Sequence, residues 1–367
     1  MDQANILHNV LPVFLSQGAM FRNASGQIEW FCGPWKQNDQ GDEKGPSVEL
    51  HSFFSSSDPT PTFRPSFAGV ISIPELNQLL SDPETLAHEG FLKKLAWEEP
   101  SFESFTKDFQ EIKSKINAGE VIKAVPIATS GAKQSMGSHQ IANLIKEALK
   151  APKEFFVYGF WDQTQEKGRS ISQGIIGASP EILFVRSNKK LYSMALAGTF
   201  PKTRSAQELY FDEKESFEHQ VVVEDLFKEL SDLGSVKSSG KHVLELPTLN
   251  HLRTMFEVEL DAEFSHQELI KKLHPTPALG WSPRTAKMDW FQNLHGNNKR
   301  QWFGAPFVWR RTSINATAIV AIRNLIWKDE KIELTSGCGI VAQSELENEW
   351  AELKRKRDSV LKIFGGL

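Results

Sequence analysis

Cysteine is nearly absent from this chain of 367 residues, which contains only Cys32 and Cys338. Two cysteines so far apart provide no disulfide framework and no CxxC motif, as is typical of proteins from a reducing cytoplasm. The sequence also lacks an apolar run long enough for a membrane-spanning helix. Its first residues show neither the basic region nor the long apolar region of a signal peptide. We therefore expect a cytoplasmic protein with no membrane partner.

An excess of charge of one sign is missing as well, since the formal net charge is −4 and no long basic run occurs. Nucleic-acid binding depends on basic residues that contact phosphates, so we expect no nucleic-acid partner. The patterns HExxH, GxSxG and the Walker loop are also absent, and with them the usual signatures of zinc peptidases, α/β-hydrolases and P-loop proteins. With 40% hydrophobic and 24% charged residues, the composition is that of a globular protein with a substantial core.

The pattern of apolar residues predicts a mixture of helices and strands. Helices are predicted over 101–118, 140–149, 207–233, 267–273, 284–294 and 345–364. Strands are predicted over 121–129, 155–161, 171–176, 182–186, 191–196, 302–309, 316–327 and 332–335. Closely spaced strands favour antiparallel sheets, and helices segregated from them indicate the α+β class. The first hundred residues are irregular, and residues 33–65, rich in Gly, Ser, Asp and Pro, are interpreted as loops around a few short strands.

Two pairs of glutamates lie on predicted helices. Glu215 and Glu218 are three residues apart on one helix, and Glu349 and Glu352 have the same spacing on the last one. Residues three apart share a helix face, so each pair can direct two carboxylates towards one point. Such oxygen-rich sites suit Mg²⁺. Solvated surface charge explains the spacing equally simply, because glutamate is common on exposed helix faces.

Lys123 and Glu181 stand next to apolar segments. Lys123 interrupts an apolar run, where it either extends its ammonium to the surface or serves as a general base with a pKa lowered by burial. Glu181 opens a strand after Gly177-Ala178-Ser179-Pro180, where a carboxyl group is either an ordinary strand-end charge or a general acid with a raised pKa. The residues alone do not decide between these interpretations.

A glycine turn and an arginine suggest an anion site. Gly337 and Gly339 flank Cys338 after a predicted strand, and Arg323 precedes them on a strand of its own. Glycines let backbone N–H groups approach an anion, and arginine binds a carboxylate with two hydrogen bonds. A hairpin turn with a surface arginine is the simpler interpretation. Similarly, His251 alone is more typical of a structural histidine.

Several short stretches occur in the order found in a known family. From about residue 119 to the end, the chain resembles the chorismate-binding enzymes, which include isochorismate, salicylate, anthranilate and aminodeoxychorismate synthases. The matching stretches are Gly177-Ala178-Ser179-Pro180-Glu181, Ala197-Gly198-Thr199, Glu218-His219, Asn250-His251-Leu252, His274-Pro275-Thr276-Pro277-Ala278, Ala321-Ile322-Arg323, Gly337-Cys338-Gly339-Ile340-Val341 and Glu349-Trp350-Ala351-Glu352 with Lys356. Eight ordered matches are far more specific than any single one.

The resemblance implies roles for these residues. Glu218 and Glu352 resemble direct Mg²⁺ ligands, and Glu215 and Glu349 resemble supporting ones. The groups that resemble carboxylate binders are Arg323, Lys356 and the backbone of Gly337, Cys338 and Gly339. The residues that resemble the pocket wall are Gly198, Thr199, His251 and Thr276. The implied substrate is chorismate, and the family leads us to expect a monomer.

The resemblance also implies an anthranilate-synthase-type fold, in which two antiparallel sheets pack together with helices outside. Residues 1–100 match poorly and are interpreted as a variable part of one large domain, whose residues 101–367 form the chorismate-binding catalytic region. The chain departs from the family pattern at Trp281 and Val308, where glycines are usual. Phe200-Pro201 and Cys338 are further departures.

The identity of the nucleophile distinguishes the family members. Those that use water resemble each other in a lysine at the position of Lys123, while aminodeoxychorismate synthases have a nucleophilic lysine where this chain has Ala197. This implies that Lys123 is the general base and Glu181 the general acid of an isochorismate synthase. Salicylate synthase is the second candidate, anthranilate synthase a weaker one, and an inactive ligand-binding relative the candidate outside catalysis. The sequence does not say whether the product would serve menaquinone or siderophore synthesis.

Cys338 is open to two interpretations. Free cysteine is usually a small buried hydrophobic residue, which predicts an inert thiol. If the sulfur instead faced the pocket, nearby cations would favour the thiolate and make Cys338 more reactive than Cys32.

Overall fold

The protein is described from a computed structural model, which covers residues 3–37, 45–54, 60–166, 169–297 and 300–367. The helices of these residues are α1 (Gln3–Ser16), α2 (Ile73–Leu79), α3 (Pro83–Ala87), α4 (Phe102–Asn117), α5 (Ser138–Leu149), α6 (Ala206–Phe211), α7 (Glu213–Ser231), α8 (His266–Leu273), α9 (Met288–Gln292) and α10 (Leu346–Ile363), and a 3₁₀ helix spans Phe91–Lys94. Among the described residues, no helix has the length and apolar character needed to cross a membrane.

Twenty strands are present in the same residues. The first ten are β1 (Gln17–Arg22), β2 (Ile28–Cys32), β3 (Lys36–Gln37), β4 (Ser47–Leu50), β5 (Thr62–Arg64), β6 (Phe67–Ile71), β7 (Lys123–Ala124), β8 (Ile127–Lys133), β9 (Phe156–Glu166) and β10 (Arg169–Ser179). The others are β11 (Ile182–Ser187), β12 (Lys190–Pro201), β13 (Gly234–Ser238), β14 (His242–Glu245), β15 (Leu249–Leu260), β16 (Trp281–Ser282), β17 (Pro306–Thr312), β18 (Asn315–Val320), β19 (Asn324–Lys328) and β20 (Lys331–Gly337).

The strands form two large sheets in which neighbouring strands run antiparallel. An eight-stranded sheet has the order β6-β2-β1-β9-β10-β19-β20-β8. A ten-stranded sheet has the order β13-β15-β12-β11-β18-β17-β4-β5-β3, and β14 also pairs with β15. A small third sheet pairs β16 with β7. Two antiparallel sheets with helices confirm the predicted fold class.

Aromatic side chains from the two large sheets pack against each other. Phe31 of β2 stacks on Trp309 of β17 with ring centroids 3.9 Å apart. Phe63 of β5 lies 4.4 Å from Phe160 of β9 by the same measure. Such rings bury large apolar areas and add favourable ring–ring geometry. The residues that make these contacts join one continuous hydrophobic core.

The chain crosses between the two sheets at two positions that hold candidate site residues. After β10 of the eight-stranded sheet it enters β11 of the ten-stranded sheet, and after β18 it returns to β19. Glu181 lies in the first crossing and Arg323 in the second. Both residues are therefore held by backbone that belongs to two sheets at once.

Helices α7 and α10 carry the two glutamate pairs. Helix α7 packs on β12 and β15, and α10 packs on β20 and α4. The predicted helix over 207–233 is divided into α6 and α7 at Asp212. The backbone of Asp212 is extended, and the Asp212 side chain accepts a hydrogen bond of 3.0 Å from the N–H of Glu215. This N-cap fixes the first turn of α7.

The remaining differences from the predicted elements have local causes. The predicted strand over 121–129 is interrupted at Pro126, which has no N–H to donate. The strand predicted over 316–327 is two strands, because Arg323 has a φ of 55°. The strand predicted from residue 302 begins only at Pro306, after Gly304 with a φ of 75°. The helix predicted over 284–294 is only Met288–Gln292.

The N-terminal part differs most from its prediction, because sequence patterns indicated mainly loops. Residues 3–16 form α1, and the following strands enter both large sheets: β1, β2 and β6 join one, and β3, β4 and β5 join the other. Long-range strand pairing stabilises these short segments, and local sequence does not reveal it. The division at residue 100 stays a prediction.

Substitution of Gly174 in β10 tests how tightly the side chains of the eight-stranded sheet are packed. A Cβ at this position would lie 2.6 Å from Cη2 of the fully buried Trp327. We expect Gly174→Ala to lower the free energy of unfolding by about 2 kcal/mol or more, because a packed core does not yield to an added methyl group. Gly131→Ala in β8 is the control, since its nearest neighbour is the flexible Lys331 side chain at 3.3 Å. Equal urea midpoints for both variants would contradict this packing.

Candidate active site

A cavity of about 510 Å³ lies where the chain crosses between the sheets. Its lining combines charged side chains, glycines and apolar walls. The lining residues are Pro180, Glu181, Leu196, Ala197, Gly198, Thr199, Glu218, His251, Ala278, Leu279, Phe303, Ile322, Arg323, Gly337, Gly339 and Lys356. Nine predicted site residues are therefore brought together here from stretches far apart in sequence. A concave pocket with convergent polar groups is the usual form of a small-molecule site.

Glu181 is held rigidly at the first sheet crossing. Its N–H donates to Ser179 Oγ over 3.2 Å, and Ser179 Oγ donates in turn to the carbonyl of Val320 over 2.7 Å. The N–H of Val320 donates back to the carbonyl of Glu181 over 3.1 Å. Because these bonds tie the Glu181 backbone to β10 and β18, the point from which its carboxyl group extends is fixed.

Burial dominates the acid–base properties of Glu181. It raises the pKa of this carboxyl group to about 8, although the charges of Lys123, Lys356 and Arg323 act in the opposite direction. Arg323 is affected in the complementary way, since burial lowers its pKa to about 10 while Glu352 and Glu181 raise it. At neutral pH Glu181 is therefore mostly protonated and able to donate a proton into the cavity.

Arg323 occupies a turn and not the strand predicted for it. Its φ of 55° is unusual for a residue other than glycine and requires support from neighbours. Asn324 Nδ2 donates to the carbonyl of Ala321 over 2.7 Å, and the Tyr158 hydroxyl donates to the carbonyl of Ile322 over 3.2 Å. These bonds fix the turn that directs Arg323 to the cavity.

Lys123 is fully buried, and its Nζ lies 3.0 Å from Glu218 Oε1. Burial alone would raise the pKa of Glu218, but the charges of Lys123 and Lys214 outweigh it and lower that pKa. A Cβ at Gly339 would overlap Glu218 Oε1 and lie 2.7 Å from Lys123 Cε, so only glycine leaves room for this pair. Lys123 itself does not line the cavity, which it adjoins through Glu218.

The four helix glutamates are buried in one cluster and are not solvated surface charges. Lys356 Nζ lies 2.7 Å from Glu352 Oε1 and donates to the carbonyl of Gly337 over 2.8 Å. Lys214 Nζ lies 3.0 Å from Glu215 Oε1 and 2.8 Å from Glu349 Oε1. Lys214 therefore connects α7 with α10.

The lysines do not fully compensate the negative charge of the cluster, and the pKa values of two of its carboxyl groups show this. Burial, followed by the charge of Glu218, raises the pKa of Glu215 to about 8. Burial, followed by the charge of Glu352, raises the pKa of Glu349 to about 7. The four carboxylates face three lysines, and a cation of higher charge would relieve the remaining repulsion.

The donor set fits a hard divalent cation such as Mg²⁺, which prefers carboxylate oxygens and water. Glu215, Glu349 and Glu352 also line a second cavity, of about 850 Å³, that adjoins the cluster. Among the residues that the structure describes, no three acidic, histidine or cysteine side chains are close enough to enclose a metal ion. The carboxylates are instead paired with lysines, so binding of a metal would require these pairs to rearrange.

Thr199 links the cluster to the cavity wall. Its N–H donates to Glu215 Oε2 over 2.7 Å, and its hydroxyl lies 3.0 Å from Nδ1 of His251. Gly198, with a φ of 80°, forms the bulge in β12 that makes this geometry possible. Burial, followed by the charge of Arg323, lowers the pKa of His251 well below its usual range, so a neutral imidazole borders the cavity.

Two predicted residues lie elsewhere. Thr276 is buried and does not line the cavity, although Ala278 and Leu279 do. The side chain of Cys338 is fully buried between the two glycines and does not line the cavity either. Burial raises the pKa of its thiol well above the usual value. The condition for a reactive thiolate, a sulfur that faces the pocket, is therefore not met, and Cys338 is a packed, buried thiol.

Sequence reasoning missed Lys214 and the apolar walls. Leu196, Phe303 and Leu279 look like ordinary core residues in sequence, and no local signal separates them from the core. Lys214 did offer a signal, because it lies in the first turn of α7, where a cation opposes the helix dipole.

The family assignment agrees with this geometry. The family model for chorismate binding enzymes matches residues 70–365, which include every residue that lines the first cavity. The chain belongs to the chorismate-binding enzymes.

Curated relatives fall within the same family. The chain is 29% identical over 276 residues to the isochorismate synthase MenF of Bacillus subtilis, a match covering 69% of this chain and 57% of the relative. It is 33% identical over 205 residues to the salicylate biosynthesis isochorismate synthase of Pseudomonas aeruginosa, covering 52% of this chain and 43% of the relative. The matched region therefore spans about half the length of these relatives.

Solved structures share the fold. The isochorismate synthase DhbC from Bacillus anthracis, described as 2,3-dihydroxybenzoate-specific, has a TM-score of 0.79 at 21% identity, with full coverage of both chains. The menaquinone-specific isochorismate synthase MenF from Escherichia coli has a TM-score of 0.76 at 17% identity, covering 96% of this chain and 91% of that one. Anthranilate synthase component I from Streptococcus pneumoniae has a TM-score of 0.66 at 17% identity, with 94% and 89% covered.

The raised pKa of Glu181 predicts a pH-dependent stability difference. With a folded-state pKa of about 8 against an ordinary 4.5, the folded protein keeps a proton that the unfolded chain has released. Wild-type stability should therefore fall between these pH values by up to about 1.4 kcal/mol per pH unit. The Glu181→Gln variant has no ionisable carboxyl group at this position and so lacks this loss of stability. The melting temperature of the variant minus that of wild type should therefore increase from pH 5 to pH 8.5.

The matched control is Glu259→Gln, which changes an exposed glutamate on β15. Its melting temperature should differ from wild type by the same amount across this pH range. A pH-independent difference for Glu181→Gln would show that Glu181 titrates in the ordinary range.

Proposed function

We propose that this protein is a Mg²⁺-dependent isochorismate synthase, which adds water at C2 of chorismate and expels the C4 hydroxyl group. The observation that carries the proposal is the protonated Glu181 in a cavity that Arg323, Lys356 and the Lys123–Glu218 pair also border. Relatives named isochorismate synthases support the same reaction. Chorismate carries carboxylates, for which the cations of the cavity are suited.

Each side chain has a task that follows from its environment. Arg323, Lys356 and the N–H groups around Gly337 and Gly339 would bind and orient the substrate carboxylates. Glu181 would donate its proton to the departing C4 oxygen, which is why a carboxyl group with a raised pKa is needed there. Bound magnesium, held by Glu218 and Glu352 with Glu215 and Glu349 in support, would stabilise negative charge on the ring carboxylate.

Lys123 would be the general base that removes a proton from water. This role requires the neutral amine, so Lys123 must give up a proton and its ion pair with Glu218 Oε1, which lies 3.0 Å from its Nζ. Ala197 supports water as the nucleophile, since it lines the cavity where an amine-using relative would place a lysine. Proton transfer to Lys123 and from Glu181 leaves an isomer of the substrate, so no other reactant is consumed.

Product analysis tests the reaction. We expect incubation of the protein with chorismate and Mg²⁺ to yield isochorismate by chromatography, and ¹⁸O-labelled water to place label in the product. Addition of ammonium should not change the product. Salicylate together with pyruvate would identify a salicylate synthase, anthranilate with ammonium would identify the amine-using branch, and no turnover would leave a ligand-binding protein.

Substitution of the base tests the assignment of Lys123. We expect Lys123→Ala to lose roughly 100-fold or more in kcat, because general-base catalysis contributes on that order, while chorismate still binds. Lys107→Ala is the control, since this lysine is exposed on α4 and pairs with the exposed Glu103 over 2.7 Å. Unchanged kcat in Lys123→Ala would remove this residue from the chemistry.

A further inference from the structure

Lys214 has an unusual position and unusual contacts. It lies in the first turn of α7, where the positive end of the helix dipole disfavours a cation. Its side chain nevertheless turns towards the cluster and contacts Glu215 at 3.0 Å and Glu349 at 2.8 Å. One ammonium group thus bridges the two helices that present all four carboxylates.

Lys214 differs from the other two lysines of the cluster in its freedom to move. The side chain of Lys123 is 0% exposed and that of Lys356 is 14% exposed, whereas that of Lys214 is 24% exposed. Lys214 also lines the cavity of about 850 Å³ outside the cluster. Its long, flexible side chain can therefore leave the cluster and extend into this second cavity.

We propose that the Lys214 ammonium group takes the place of a divalent cation. It holds the glutamate cluster together without metal, and it must move away when a divalent cation binds. This inference rests on the metal role in the proposed function. Lys214 pairs with the two supporting carboxylates, Glu215 and Glu349, of the cluster that would hold the metal. Two positive groups so close together repel each other strongly in a partly buried site. Entry of a divalent ion next to Glu215 and Glu349 therefore requires the ammonium to move away.

Two consequences follow from this competition. Without metal, the ammonium offsets the repulsion between α7 and α10, so the two helices stay in place. With metal, displacement of the lysine precedes binding and weakens the apparent affinity by the cost of that step. Lys214 thus sets how much free divalent cation is needed to fill the site.

The test measures metal binding in the full chain without chorismate. Mn²⁺ serves as the probe, because it prefers the same oxygen ligands as Mg²⁺ and its free form gives an electron paramagnetic resonance signal. We expect Lys214→Met to bind Mn²⁺ roughly tenfold more tightly than wild type, since the competing cation is gone. Lys228→Met, which removes the same charge from an exposed position on the same helix, should bind as wild type does.

Thermal unfolding gives a second readout. In EDTA, Lys214→Met should melt below wild type, because its carboxylates repel each other, and saturating Mg²⁺ should raise its melting temperature more than that of wild type. Lys214→Gln, which keeps a polar side chain without the charge, repeats both measurements if the methionine variant folds poorly.

Equal or weaker Mn²⁺ binding in the Lys214 variants overturns the inference. Failure of all proteins, wild type included, to bind Mn²⁺ overturns both the inference and the metal role. Tighter binding in the Lys214 variants supports the inference even if no isochorismate forms from chorismate, and that result would refute the proposed reaction alone.

Discussion

Compensation of buried charge is the constraint on which the site depends. Glu181 and the four helix glutamates are all at least nine-tenths buried, and a carboxylate in that environment is stable only with partners or with a proton. The chain supplies both: Lys123, Lys214 and Lys356 pair with the helix glutamates, and Glu181 stays mostly protonated at neutral pH. Loss of one partner would leave a charge buried alone, so the cluster behaves as a unit.

The two sheets give this unit its geometry. Glu181 and Arg323 lie at the two places where the chain passes from one sheet to the other, and hydrogen bonds to neighbouring strands hold both. Helices α7 and α10 pack on different strands, yet Lys214 joins them through Glu215 and Glu349. A site built on such rigid elements keeps acid, cations and carboxylates in fixed relative positions, and this preorganisation is what catalysis requires.

Much of this arrangement could be predicted from local sequence. Glutamates three apart on α7 and α10 had to share a face, and the predicted helices placed them correctly. Antiparallel sheets followed from closely spaced strands. The resemblance to a known family implied which distant stretches meet, and nine of the predicted residues do line one cavity. The bounds and partners of the short N-terminal strands escaped prediction, because pairing with distant strands and not local propensity stabilises them. The turn at Arg323 escaped it too, since the hydroxyl of Tyr158, a residue of a distant strand, helps to support that backbone.

By itself, the sequence determined the residue types, their helical and strand periodicity and the order of the motifs, because these depend only on neighbours along the chain. Tertiary structure alone decided which groups are buried and which partners they have. Two residues of the same type therefore differ in acidity: burial raises the pKa of Glu181, whereas the neighbouring Lys123 helps to lower the pKa of Glu218. Cys338 is buried because the fold encloses it, and Lys214 of α7 pairs with Glu349 because α10 brings that carboxylate within 2.8 Å of its Nζ. Burial and contact arise from long-range packing, which no local pattern specifies.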